Sequence, residues 1–429
     1  MKTSGNAPAR GRAGLLASLA AALAIGLSPV AAYAADPVKL NFWDMIWGPP
    51  EYIDAAKELV AEFNKENPGI QVEYRSIPWN NWYQTYVTAI SAGTAPDLST
   101  GAGYQAVQLY DLGAIRPIDD LIEEMKTSGD LDDFLPGTVD TLRYDDHYVA
   151  LPWGIDIRVW FYRKDMLDAA GLKVPTTWAE LREAAKATTK DGKFGILASG
   201  DTGGSHFLYN AILNNGGGLF TEDRKLDLKS ERNVEAFEAL AGMVADGSVS
   251  PASTGYNSDD RRGAFNRGQG AFTLDGPGLI SQAGDAADKI GVVPPLAGPH
   301  GDKGTIFWVN NIMVYEQTKH PEEVKTFLKW WSKNQTPLWT KGNTGQLPTR
   351  KSIAANDYFK QQASRGYVLE NYVPIGKTTA THAAGIFPAL NEVEGEGVMQ
   401  TFAQELWQGK PLDQILDTAD SRLKSIVKE

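Results

Sequence analysis

An α/β chain folded as two lobes is expected from three features: a strand–helix–strand unit near the start, a long helical middle, and a return to strand pattern before the C-terminal helices. Val38, Leu40 and Phe42 alternate with polar residues as a half-buried strand does. Tyr52, Ala55, Ala56, Leu59, Val60 and Phe63 then recur at helical spacing. Asn67-Pro68-Gly69 stops that helix, and Ile70, Val72 and Tyr74 alternate again, which completes a βαβ unit whose sheet starts parallel. A second helix, over about 80–92, carries Tyr83, Tyr86, Val87 and Ile90 on one face, and Ala95-Pro96-Asp97 loops into a short strand. Residues 148–162, rich in aromatic and β-branched side chains, read as extended chain interrupted at Gly154. Helices are expected at 178–187, 234–244, 321–331 and 412–427, with strand-like pieces at 270–274 and 306–315. Such a chain crosses between its lobes more than once. It contains no internal repeat.

Size and charge narrow the function. The 429 residues, 42% hydrophobic, are ample for two packed domains. Lys and Arg total 41 against 53 Asp and Glu, a net charge of -12 that repels nucleic acid and anionic lipid. With no cysteine there is no disulfide, thiolate metal site, cysteine nucleophile or lipidated cysteine. Residues 1–34 read as a cleaved export signal: Lys2, Arg10 and Arg12, an apolar run from Leu15 to Leu27, then Ala32-Tyr33-Ala34. That run is too short to span a membrane as a helix. Loss of its three positive and no acidic side chains takes the mature charge from -12 to -15. A soluble periplasmic product without a lipid anchor is expected.

Motifs for catalysis are weak. Gly101-Ala102-Gly103-Tyr104-Gln105-Ala106 imitates a dinucleotide-binding turn, but a whole βαβ unit precedes it and its lead-in is short and partly polar. Gly376-Lys377-Thr378 imitates the end of a phosphate-binding loop, yet Asn371 stands where the first glycine belongs. The five histidines share no metal-ligand spacing, and Asp145-Asp146-His147 reads as a solvated hairpin turn. No serine elbow is present, and spacing alone selects no acid–base pair among 53 carboxylates. No catalytic residue, metal ligand or cofactor is assigned.

The aromatic residues carry more information. Trp43, Trp47, Trp79, Trp82, Tyr83, Tyr104, Trp153, Trp160, Tyr162 and Trp308 fall at or beyond strand ends or in loops, where an α/β sheet presents a ligand crevice. A sugar offers C–H faces and a hydroxyl rim, so its site needs flat rings beside polar groups. Here Trp153 neighbours Asp156 and Arg158, and Trp308 neighbours Asn310 and Asn311. Trp43, Trp160 and Tyr162 are the first candidates for core. Trp178, Trp330, Trp339 and Trp407 are assigned to packing.

Several segments, in this order, resemble the extracellular solute-binding proteins of carbohydrate ABC importers, the group with the maltose- and trehalose/maltose-binding proteins. They are Leu40-Asn41-Phe42-Trp43, Ser91 to Asp97, Ala150 to Trp153, Phe161 to Asp165, Pro175 to Trp178, Ala264 to Gly268, Asp275-Gly276-Pro277 and Gly345 to Arg350. The resemblance implies a type II periplasmic-binding-protein fold: two α/β lobes, hinge crossovers and a ligand cleft between the lobes. Its lobes would be 35–154 with 306–355, and 155–305 with 356–429. It implies an uncatalytic, monomeric protein that hands a carbohydrate to the permease subunits of an importer. The candidate ligand-binding set is Trp47, Trp79, Gly103, Tyr104, Asp156, His206, Asp275, Gly276, Gly278, Trp308, Asn310 and Arg350. Within it, Asp156 matches a cleft carboxylate, His206 a stacking tyrosine, Tyr104 a cleft aspartate, and Arg350 an arginine of the trehalose/maltose relatives. Arg350 is expected either to form an ion pair with Asp156 or to receive an anionic sugar substituent. Gly278 and Phe387-Pro388 replace aromatic platforms, which suggests a ligand shorter than a maltodextrin. The alternatives are a secreted glycosidase and a binder of an anion or metal.

Overall fold

The computed structural model describes residues 36–383 and 385–428; the export signal read over 1–34 lies outside them. Strands β1 (Val38–Met45) and β2 (Ile70–Ile77) run parallel, with Val38 beside Ile70 and Met45 beside Ile77. Helix Pro50–Glu66 makes the crossover between them and buries the expected face, Tyr52, Ala55, Ala56, Leu59, Val60 and Phe63. Strand β3 (Leu98–Gly101) joins the other edge of β1 in parallel. A hairpin of β4 (Arg143–Tyr144) and β5 (His147–Tyr148) turns at Asp145 and Asp146, whose φ of 48° and 65° suit a two-residue turn built from short polar side chains.

Strand β6 (Leu151–Ile157) corrects one expectation in part: Gly154 does not end it, although its register with strand Thr305–Val314 shifts between Pro152 and Gly154. The strand is continuous, and the break falls at Arg158, before β7 (Val159–Arg163). Gly154 supplies space instead: a Cβ there would lie 3.3 Å from Cβ of Gln346. Strands β8 (Phe194–Leu197), β9 (Gly270–Asp275) and β10 (Ile290–Val292) follow, then β11 (Thr305–Val314), β12 (Leu347–Pro348) and β13 (Gly376–Lys377). Two large sheets result. One has the order β12-β6-β11-β3-β1-β2 with β13 against β11, and the other has the order β10-β7-β9-β8. The chain leaves the first sheet after Ile157, builds the second, and returns at Thr305.

The expected helices are present as Trp178–Thr188, Glu231–Ala245, Pro321–Asn334 and Leu412–Val427. Thr177 caps the first through Oγ1, which accepts from Glu180 N at 3.2 Å. Helix Thr202–Asn214 gave no periodic signal because it is buried on nearly every side, so no apolar stripe marks it. It begins at Asp201, whose Oδ1 accepts from Gly203 N. Its Asn210 and Asn214 fasten it to the crossover: Asn210 Nδ2 donates to Thr305 Oγ1 at 2.8 Å, and Asn214 Nδ2 donates to the carbonyls of Leu296 and Gly304. Trp43, Trp160, Trp178, Trp339 and Trp407 are buried, as assigned, whereas Tyr162 and Trp330 are only partly buried. No helix of the described residues is long and apolar enough to cross a membrane.

Candidate functional site

Asp156 on β6 and Trp308 on β11 sit opposite each other, so both side chains rise from one face where the chain passes between the sheets. Arg158, in the break after β6, closes its fork on Asp156, with Nη1 to Oδ1 at 2.5 Å and Nη2 to Oδ2 at 3.1 Å. Its Nε donates to Nδ1 of His206 at 2.9 Å, from the second turn of helix Thr202–Asn214. The His206 and Trp308 rings are 5.0 Å apart and inclined by 56°, and the Arg158 guanidinium lies 5.2 Å from the Trp308 ring. Gly103 backs that ring, since a Cβ there would fall 2.7 Å from Cδ1 and 2.8 Å from Cβ of Trp308. The glycine of the false dinucleotide motif is thus required by an indole. Gly276, just after β9, lies beside the ion pair; its Cβ would be 3.6 Å from Asp156 Oδ1 and from Arg158 Nη1.

Glu394 completes the cluster. Both of its carboxyl oxygens accept from Trp308 Nε1, at 3.1 and 3.2 Å. Burial pushes this carboxyl up to about 8; the Trp308 bond and Arg158 pull it down, and Asp156 pushes it further up. His206 is held well below its ordinary value, first by burial and then by Arg158 and Arg261, so it stays neutral and accepts from Arg158. Burial, then Glu394, raises the phenol of Tyr104, whose oxygen accepts from Thr379 N at 3.3 Å. Asp275 is buried between Arg261 and Arg262, at 2.9 and 2.8 Å. Burial opposes its charge, but the two guanidiniums overrule it and hold the carboxyl below the usual range.

The remaining expected residues divide. Asn310 is buried two positions from Trp308 and opposite Gly154, with its Nδ2 unpaired among the described residues. Gly278 is a point of close backbone approach, its Cβ direction reaching within 2.6 Å of Gly345 Cα. Trp47 is buried within an aromatic ladder, 5.0 Å from both Trp79 and Trp153; of these three only Trp79 reaches solvent, 36% exposed. Trp153 therefore belongs to this ladder and the core, on the face away from Asp156. Trp47 Nε1 donates to Thr100 Oγ1, which donates to the buried carboxylate of Asp44. Burial lifts Asp44 to about 7, against hydrogen bonds from Thr100, Tyr52, Tyr74 and Trp47.

Arg350 does not meet Asp156. It is 1% exposed, donates to Asp130 and Asp133 at 3.1 and 3.0 Å and to Ser332 Oγ at 2.9 Å, and lies 4.3 Å over Phe134. Two nearby aspartates satisfy its charge, and Arg158, only two residues from Asp156, takes the partner assigned to it. Arg158, Glu394, Arg261 and Arg262 were absent from the expected set, and no spacing in the sequence singles out Glu394 among 53 acidic residues.

A model of the bacterial extracellular solute-binding proteins matches residues 49–337. The chain belongs to that family. A sugar-transporter structure from Arthrobacter chlorophenolicus A6 with bound laminaribiose is 37% identical to this solute-binding protein, with a TM-score of 0.86, covering 91% of this chain and all of that one. Maltose-bound MalE3 of T. maritima shares the fold at 23% identity, with a TM-score of 0.78 over 91% of this chain and all of its own. The sn-glycerol-3-phosphate-binding periplasmic protein of Brucella melitensis is 27% identical over 342 residues, 72% of this chain and 77% of that protein. An uncharacterised lipoprotein of Streptomyces antibioticus is 30% identical over 241 residues, 54% of this chain and 52% of that one. The fold of this solute-binding protein is the two-lobe type II architecture of these relatives.

Proposed function

We propose that this solute-binding protein captures an uncharged sugar of about disaccharide size in the cleft around Trp308 and delivers it to the permease of an ABC importer. The observation that carries this reading is an angled aromatic pair, Trp308 and His206, rimmed by Asp156, Arg158 and Glu394. Rings and polar rim together are what a sugar requires. Two relatives differ in ligand charge, neutral laminaribiose and anionic sn-glycerol 3-phosphate, and the charge pairing in this chain favours the neutral class. Arg158 is closed on Asp156, and Arg261 and Arg262 on Asp275. Asp201 occupies the N-terminus of helix Thr202–Asn214, accepting from Gly203 N and Ser258 N at 2.9 and 2.7 Å, where an anion would otherwise bind. A phosphate ester would have to displace one of these carboxylates, whereas a neutral hydroxyl bonds to them as they stand.

In this reading the lobes are 35–154 with 306–355 and 155–305 with 356–429, closing by a hinge. The protein is exported with loss of residues 1–34, acts as a monomer without a lipid anchor, and catalyses nothing. A thermal-shift panel of laminaribiose, maltose, ribitol and sn-glycerol 3-phosphate tests it. A sugar at 100 times its dissociation constant stabilises by about 2.7 kcal/mol. The reading expects a disaccharide to raise Tm, the phosphate ester to leave it unmoved, and the sugar to be recovered chemically unchanged. Stabilisation by the phosphate ester alone, or recovery of monosaccharides, overturns it.

A further inference from the structure

Helix Ala389–Gly395 is short, yet it grips three elements of the other sheet's side of the molecule. Asn391 Nδ2 donates to Gln108 Oε1 at 2.6 Å, and Gln108 Nε2 donates to Glu392 Oε1 and to the Tyr83 hydroxyl, both at 3.0 Å. Gly395 sits on the Tyr83 ring, where a Cβ would come within 2.7 Å of the ring carbons. These contacts fix the helix against the segments Gln105–Asp111 and Trp82–Ser91. The fourth contact, Glu394 with Trp308 Nε1, is the one that enters the cluster.

Trp308 is 5% exposed, so its indole N–H has to find a protein acceptor, and Glu394 is the one it has among the described residues. Gly103 blocks the ring from behind, and His206 and Arg158 lie against it. The carboxyl at the ring edge therefore sets the remaining freedom, rotation of the indole in its slot.

We propose that Glu394 is a positioning residue for ligand recognition, transmitting the grip of helix Ala389–Gly395 to Trp308 and fixing the angle at which the indole meets the ligand. This rests on the cluster being the ligand site. Ionisable groups face Glu394 from each neighbouring element: Asp156 and Arg158 from the end of β6, Tyr104 from the turn after β3, and Tyr209 from helix Thr202–Asn214, whose His206 lies against the Trp308 ring. Glu392, on its own helix, is turned to Gln108. Tyr104 and Tyr209 are pushed up and His206 down, mainly by burial, so all three are uncharged near neutrality, and Arg158 is engaged by Asp156. Glu394, at about 8, changes charge there.

The test uses the full-length protein and two readouts. The indole N–H resonance of Trp308, assigned by its loss in W308F, is followed from pH 5 to 10, and laminaribiose affinity is measured by calorimetry at pH 6. The expected result is a single titration of that resonance with a midpoint well above the ordinary carboxylate range, absent in E394Q. E394Q, which keeps an acceptor, binds within about threefold of wild type, and E394A binds at least ~5-fold more weakly. An indole resonance that ignores pH, or that still titrates in E394Q, overturns the proposal, as does wild-type affinity in E394A. A wild type that binds no laminaribiose while its indole titrates as expected overturns the ligand reading and leaves the Glu394–Trp308 contact standing.

Discussion

Asp156 and Arg158 are two positions apart, and in the proposed reading their pairing decides what the cluster attracts. Replacing Asp156 by Asn releases the Arg158 fork and leaves a partly buried positive charge, so sugar binding should weaken by about 1.5–3 kcal/mol while affinity for phosphate esters rises. Calorimetry with both ligands checks this; equal affinities in mutant and wild type would contradict it. Arg350 belongs to stability instead. Arg350→Met leaves Asp130 with Lys333 and Asp133 with Ser352 but removes the buried guanidinium between them, and chemical denaturation should show a loss of about 1.5–3 kcal/mol. Saturating sugar should still bind the variant at low temperature with near wild-type affinity. Asp44 gives a pH effect of known sign. Its folded pKa, about 7, exceeds the unfolded value of about 3.9, so its contribution is complete below pH 4 and is lost as pH rises through 7. That loss amounts to as much as ~4 kcal/mol at one unit per ~1.4 kcal/mol. In Asp44→Asn the fall in stability between pH 4 and 8 should shrink by this share, which urea titrations at the two pH values measure.

The turn from β3 into helix Gln105–Asp111 shows how an element serves the site. Its Gly103 touches Trp308 more closely than any side chain permits, so Gly103→Ala should push the indole aside, costing about 1–3 kcal/mol of stability and roughly tenfold in sugar affinity. Unchanged affinity in a folded Gly103→Ala protein would argue against Trp308 as the platform. The same turn explains what the sequence could and could not disclose. The βαβ unit and the amphipathic helices were legible because each buries one face, and Tyr52 to Phe63 recur at the spacing of that face. Helix Thr202–Asn214, with His206, was not, since burial on all sides removes the stripe. Asp156 and His206 were legible by resemblance and Trp308 by the interleaving of aromatic and polar residues, and the three converge. Glu394 was not, because it reaches Trp308 across 86 residues of chain and nothing near it in sequence marks that contact. Arg350 was misjudged because its aspartate partners lie 217 and 220 residues away.

At the scale of the molecule, two sheets joined at Arg158 and Thr305 set their polar cluster where the chain crosses, and in the proposed reading relative motion of the lobes opens or closes it. A ligand that bonds groups from both sides shifts that equilibrium by its differential affinity, which is what an importer can read. In the proposed reading Arg158 is occupied by Asp156, Arg261 and Arg262 share Asp275, and the whole chain, acidic at -12, repels anionic ligands at long range. The most direct test is isothermal titration of the wild-type protein with laminaribiose and, separately, with sn-glycerol 3-phosphate at pH 7. The account expects one saturable site for the uncharged disaccharide and no heat of binding for the phosphate ester. Saturable binding of the phosphate ester with none of the disaccharide would contradict it.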